Sequence, residues 1–215
     1  MLKRLLTAAL AALMLLTLAP MALAATEKEI QEDNVFLKQQ GRGTCTLAAT
    51  AMMLRRTALL NGDENWNQIT EASCRAVFWR GGLPYEFRYG NITIGHKWLP
   101  GGTANRQFLM DMLEKHPEGV VLHARGVPHG VLLTDYTDGV FYCADSAVNK
   151  PLGRIPITEA YGTRIENSSA IWYVTSPVKG PETSVADLLE AVADPDDQEH
   201  PLARLANLDL AIRDN

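Results

Sequence analysis

Apolar and small side chains occupy nearly every face of a helical wheel drawn over residues 45–60, Cys-Thr-Leu-Ala-Ala-Thr-Ala-Met-Met-Leu-Arg-Arg-Thr-Ala-Leu-Leu. That pattern predicts a helix buried on most sides. Asn61-Gly62-Asp63 supplies its stop. Over residues 64–79, Trp66, Ile69, Ser73 and Val77 fall on one stripe, which predicts a second helix ended by Gly81-Gly82. Residues 83–102 lose periodicity, are rich in aromatics and close on Pro100-Gly101-Gly102. They read as irregular chain whose Tyr85, Phe87, Tyr89 and Trp98 line either a cleft or the core. Thr103 is placed to cap a third helix over 104–116, with Phe108, Leu109, Met112 and Leu113 inward. After Pro117 short apolar runs take over. Residues 119–124, 129–136, 140–144 and 171–174 predict strands, and Thr137-Asp138-Gly139 is a hairpin turn signal. Val35-Phe36-Leu37 predicts the start of another strand. Helices first and antiparallel strands after predict an α+β domain.

The two ends of the chain read differently. Lys3 and Arg4 precede an uncharged apolar stretch that finishes in Ala22-Leu23-Ala24. This predicts a signal peptide over 1–24, cut after Ala24; left uncut, the same stretch is long enough for a membrane anchor. A linker over 25–33 and one domain over 34–176 follow. Residues 177–215 bring prolines and the acidic Asp194-Pro195-Asp196-Asp197. They predict an acidic, partly helical tail, with helix-like pieces near 184–193 and 201–212. A leader implies a secreted or periplasmic protein without stable membrane association after cleavage.

Removing residues 1–24 with their two cations takes the formal net charge from −5 to −7. No long basic run exists, which argues against nucleic acid as a partner. No residue set has metal-ligand spacing and no glycine-rich phosphate loop is present, so no metal or cofactor is expected. The sequence does not fix an oligomeric state. The three cysteines, Cys45, Cys74 and Cys143, leave one thiol over. If Cys45 is that one, Cys74 and Cys143 either pair or stand as two buried thiols.

Cys45 opens the predicted helix, where the positive end of the macrodipole favours thiolate. Gln39 lies six residues before it and Gln40 five. Either amide is placed to donate to an oxyanion beside the Cys45 N–H. His129 heads an apolar strand after the loop Gly126-Val127-Pro128. His96, His116, His123 and His200 are its rivals, of which His96 and His123 are the more serious. Asp145 ends the strand returning from the hairpin. A turn centred on Thr137 sets it opposite His129, close enough to accept from the imidazole Nδ1. Asp135 and Asp138 are weaker choices, because turns favour Asp anyway. Cysteine, histidine and aspartate in this order are the parts of a thiol acyl-transfer site.

Gln39, Cys45 with the alanine-rich helix after it, His129 heading its strand, and Asp145 together resemble the papain-like cysteine peptidases. In particular they resemble the bacterial double-glycine-leader (bacteriocin-processing) peptidase group and its looser relatives, over about residues 34–175. The resemblance implies a papain-like fold, with the catalytic cysteine on a central helix packed against an antiparallel sheet. It also implies cleavage of a peptide or isopeptide bond in a peptide or protein substrate. Two positions depart from the group's pattern. Thr46 stands where that group has glycine, predicting a narrower oxyanion pocket, and Ser146 stands where it has proline. A transglutaminase-like acyl transferase and an inactive papain-fold binding protein share the same parts. A cell-wall amidase would carry Asp-Cys-Ser-Gly, which is absent.

Overall fold

The computed structural model of the protein describes residues 35–147, 152–161 and 164–177. The leader, the linker over 25–33, the tail beyond Pro177 and His200 lie outside the described residues. The all-round apolar segment forms helix α1, Cys45–Leu60. Every residue from Cys45 to Ala58 except Thr46 is buried. Fully burying a Leu or Met side chain contributes about 1.5–3 kcal/mol, so Leu47, Met52, Met53 and Leu54 make α1 the central element of its core. Arg55 and Arg56 are buried too, and their heads take loop carbonyls. Arg55 Nε donates to Ile69 O at 2.6 Å, and Arg56 donates to Pro117 O at 2.9 Å. Their stems pack as apolar chain while the guanidinium groups pin two loops to the helix.

The second predicted helix is split. A single 3₁₀ turn spans Trp66–Gln68, Ile69 is extended, and α2 runs Glu71–Phe78. Thr70 accepts from the Ser73 N–H while the Ser73 hydroxyl accepts from the Thr70 N–H, a capping box that restarts the helix. The stretch expected to be irregular contains β1, Phe87–Tyr89, and β2, Ile92–Trp98. Helix α3 spans Thr103–Lys115, so Thr103 is its first residue. The position before it is Gly102, at φ 64°, with no side-chain cap. Leu109 and Met112 are buried, with Phe108 and Leu113 partly so. Val35–Leu37 joins no strand; Phe36 and Leu37 pack on the core instead.

The remaining strands are β3, Val120–Ala124; β4, Gly130–Thr137; β5, Val140–Asp145; β6, Leu152–Pro156; and β7, Ser168–Pro177. A short helix α4, Ile157–Tyr161, follows β6. β6 and α4 add to the sequence expectation, and β7 is longer than expected. The result is an α+β fold with an open seven-stranded sheet, in the order β1-β2-β7-β3-β4-β5-β6. Every neighbouring pair is antiparallel. Helices α1 and α2 cover one face through Val121, Leu132, Ala144 and Trp172. Helices α3 and α4 cover the other through Leu122, Val131, Leu133 and Cys143. Cys74 and Cys143 are both free and fully buried, in the cores on opposite faces of the sheet, so they do not pair.

The β4–β5 hairpin corrects the expected register. Asp138 and Gly139 both have positive φ, 52° and 83°, and Thr137 pairs with Val140. This two-residue turn is centred beyond Thr137, and a bulge between Leu133 and Asp135 shifts the pairing again to Leu132↔Ala144. Continuing that register puts Asp145 across from Val131 rather than His129.

Candidate active site

The register error does not separate His129 from Asp145. They meet on the diagonal, which long side chains can span. His129 Nε2 lies 2.9 Å from Asp145 Oδ1. The bonded nitrogen is therefore Nε2, not the expected Nδ1, and Nδ1 is the ring nitrogen left for a thiol. Asp145 is 2 % exposed and also accepts the Ala147 N–H at 2.9 Å. Two donors on one buried carboxylate fix its orientation, and through it the ring's.

Cys45 is the first residue of α1 and is hydrogen-bonded to His129. Burial pushes its thiol up. The His129 bond, the Gly130 N–H, the His129 charge and the Thr46 N–H outweigh burial and leave it below the ordinary thiol value. Burial likewise pulls His129 down. Its bonds to Asp145 and Cys45 and their charges outweigh this and raise it to about 9. Both displacements favour a thiolate–imidazolium pair. Cys74 and Cys143, by contrast, are pushed far above the ordinary value by burial and are inert.

The start of α1 supplies anion-binding amides. Ala48 N–H to Thr44 O, at 2.9 Å, is the first rung of the helix. Thr44 makes no side-chain cap; its hydroxyl donates to Gly41 O at 3.0 Å. The first-turn N–H groups beside the sulfur are therefore not covered by a capping side chain.

Gln39 is buried and knitted to the segment after Asp145. Its N–H donates to Ser146 O at 2.9 Å, and the Ser146 hydroxyl approaches its Oε1 at 3.4 Å. Its Nε2 donates one proton to Gly41 O at 2.7 Å and keeps a second. Gln40 is exposed, and its N–H is held by the Glu71 carboxylate at 2.8 Å. Glu71, 2 % exposed and also bonded to Arg75, anchors this loop to α2. No local pattern in the sequence marks Glu71 for that part.

The three described rival histidines each have other surroundings. His116 bonds Glu118 at 3.0 Å. His96 sits among Tyr85, Trp98 and Trp172, with ring centroids 4.7–4.8 Å away. His123 bonds Ser169 and is held below its ordinary value by burial and then by the charge of His129, so it neighbours the site. Asp135 is engaged by Thr137 and Arg154. The aromatic stretch divides. Phe87 and Tyr89 enter the core, where the Tyr89 hydroxyl donates to Ser73 at 3.1 Å. Tyr85 and Trp98 are 64 % and 62 % exposed around His96. Pairings Trp98↔Ala170, Ala170↔His123 and His123↔Gly130 put Trp98 in the same row of the sheet as the residue after His129.

Among the described residues no group of three His, Cys, Asp or Glu side chains is disposed to hold a metal ion. Compared with protein-family models, with curated proteins and with solved structures, the chain gives no match.

Proposed function

We propose that the protein is an exported, papain-like thiol hydrolase acting on a peptide or isopeptide bond. The observation that carries this reading is the chain of contacts Cys45–His129–Asp145, with the thiol displaced downward and the imidazole upward. In the reaction the Cys45 thiolate attacks the substrate carbonyl carbon. The developing oxyanion takes the first-turn N–H groups of α1 and the second Nε2 proton of Gln39. Imidazolium His129 gives its proton to the leaving amine as the C–N bond breaks, leaving a Cys45 thioester. His129, now neutral, takes a proton from water, whose oxygen attacks the thioester. The acid leaves, and the sulfur departs as thiolate beside the re-formed imidazolium. Asp145 orients the ring through its bond to Nε2.

Labelling with iodoacetamide tests the reading without a known substrate. Cys45 in the native chain should react faster at pH 6 than a thiol in an unstructured peptide. A rate no faster than the peptide's overturns it. A Cys45→Ala variant should keep the fold and retain bound substrates from a host extract. Adding a primary amine to an active preparation then distinguishes hydrolysis from acyl transfer.

A further inference from the structure

Thr46 takes the place of the small residue expected after the nucleophile, and what faces it is Gly130. A side-chain carbon built on Gly130 would collide with the Thr46 γ-methyl, while its next neighbours, Leu122 O at 3.4 Å and Thr46 Cα at 3.5 Å, leave room. Gly130 is not among the glycines with positive φ, so space and not backbone conformation is what demands glycine there. Gly130 follows His129 directly, pairs with His123 in β3, and donates its N–H to the Cys45 sulfur. Thr46 and Gly130 thus form a knob and a hole. They join the residue after the nucleophile to the residue after the base.

We propose that Thr46 is a positioning residue, whose γ-methyl seats the start of β4 against the start of α1 so that the Gly130 N–H and the His129 ring meet the Cys45 sulfur. The inference rests on the thiol chemistry proposed above and deepens it. The Thr46 side chain has no part in binding substrate or moving a proton; it acts through Gly130. The methyl carries the effect and the hydroxyl does not. Thr46→Val therefore keeps the device and Thr46→Ser loses it. Gly130→Ala blocks the hole, and Thr46→Gly in the same chain reopens it.

The test is the pH dependence of iodoacetamide alkylation at Cys45, read by mass spectrometry on the full-length protein, with Cys45→Ala as the blank. In Thr46→Ser the inflection should move up toward the ordinary thiol value. Each tenfold loss of thiolate, softened by the greater nucleophilicity of a more basic sulfur, lowers the neutral-pH rate about threefold. Thr46→Val should match the wild type. Gly130→Ala should lose the fast reaction, and Thr46→Gly/Gly130→Ala should regain most of it. If Gly130→Ala does not fold, the Ser and Val pair and the double variant still decide. Wild-type reactivity in Thr46→Ser, or loss in both Ser and Val, overturns the inference. A wild-type Cys45 that is itself unreactive refutes the proposed chemistry instead, so the two failures are distinguishable.

Discussion

Asp145→Asn gives the sharpest test of how the site is charged. The substitution keeps an oxygen that accepts from His129 Nε2 and removes the negative charge beside it. His129 stands at about 9 in the folded protein against 6.5 for a free imidazole. At about 1.4 kcal/mol per factor of ten, that difference corresponds to roughly 3 kcal/mol of stability tied to holding the proton. Asp145 and Cys45 share the credit, so removing the carboxylate should cost about 2 kcal/mol. A folded value raised above the unfolded one stabilises fully below pH 6.5 and loses its effect as pH rises through about 9. Urea unfolding of wild type and Asp145→Asn should therefore differ most near pH 6, and the gap should close by about pH 10. Alkylation of Cys45 should slow in the variant over the same range, because the thiolate loses its imidazolium. A stability gap that stays constant from pH 6 to pH 10 would refute the reasoning. It would make Asp145 a neutral acceptor with no part in charging the ring.

Cys45→Ala should abolish turnover and keep the fold, lowering stability near pH 6 by about 1 kcal/mol as His129 loses its sulfur partner; urea unfolding and an activity assay check both. Glu71→Gln removes the buried charge that holds the Gln40 N–H, and should destabilise by about 1–3 kcal/mol. With the Gln39 loop loosened, kcat should fall more than KM rises, which steady-state kinetics reads. Tyr85→Ala and Trp98→Ala alter exposed rings, so stability should change by less than about 0.5 kcal/mol. If these rings line the substrate cleft, KM rises and kcat holds.

The parts of the fold legible in the sequence were its nearly continuous apolar runs. The all-apolar helix at 45–60 and the strands built around Val121, Leu132 and Cys143 bury most of their side chains, and composition alone marks them. β1 and β2 escaped because Arg88, Gly90, Gly95 and Lys97 interrupt the alternation near the sheet's open edge. The helix expected over 64–79 was broken by a capping box at Thr70, a local hydrogen-bond pattern that outweighs a stripe of four residues. At the site, the order Cys45, His129, Asp145 was readable, while the pairing geometry was not. The register depended on a two-residue turn and a bulge, and the identity of the bonded nitrogen depended on the diagonal that followed. Thr46 was legible as a departure. Its counterpart Gly130 became meaningful only once β4 was set against α1.

β7 is the last described strand in the chain, yet it lies in the interior of the sheet, between β2 and β3. Its partner residues are far upstream, with Ile94 opposite Val174 and Val121 opposite Trp172. A chain made from the N-terminus exposes Cys45 long before these contacts can form. Until β7 docks, β1–β2 has no bond to the strands carrying His129 and Asp145, and α1 lacks part of the floor it packs on. Contacts of such long sequence separation form late in folding. Cys45 in the nascent chain is then an ordinary thiol, slower to attack and slower to oxidise than the finished site. The topology thus acts as a timer, withholding the proposed nucleophile until synthesis has passed β7.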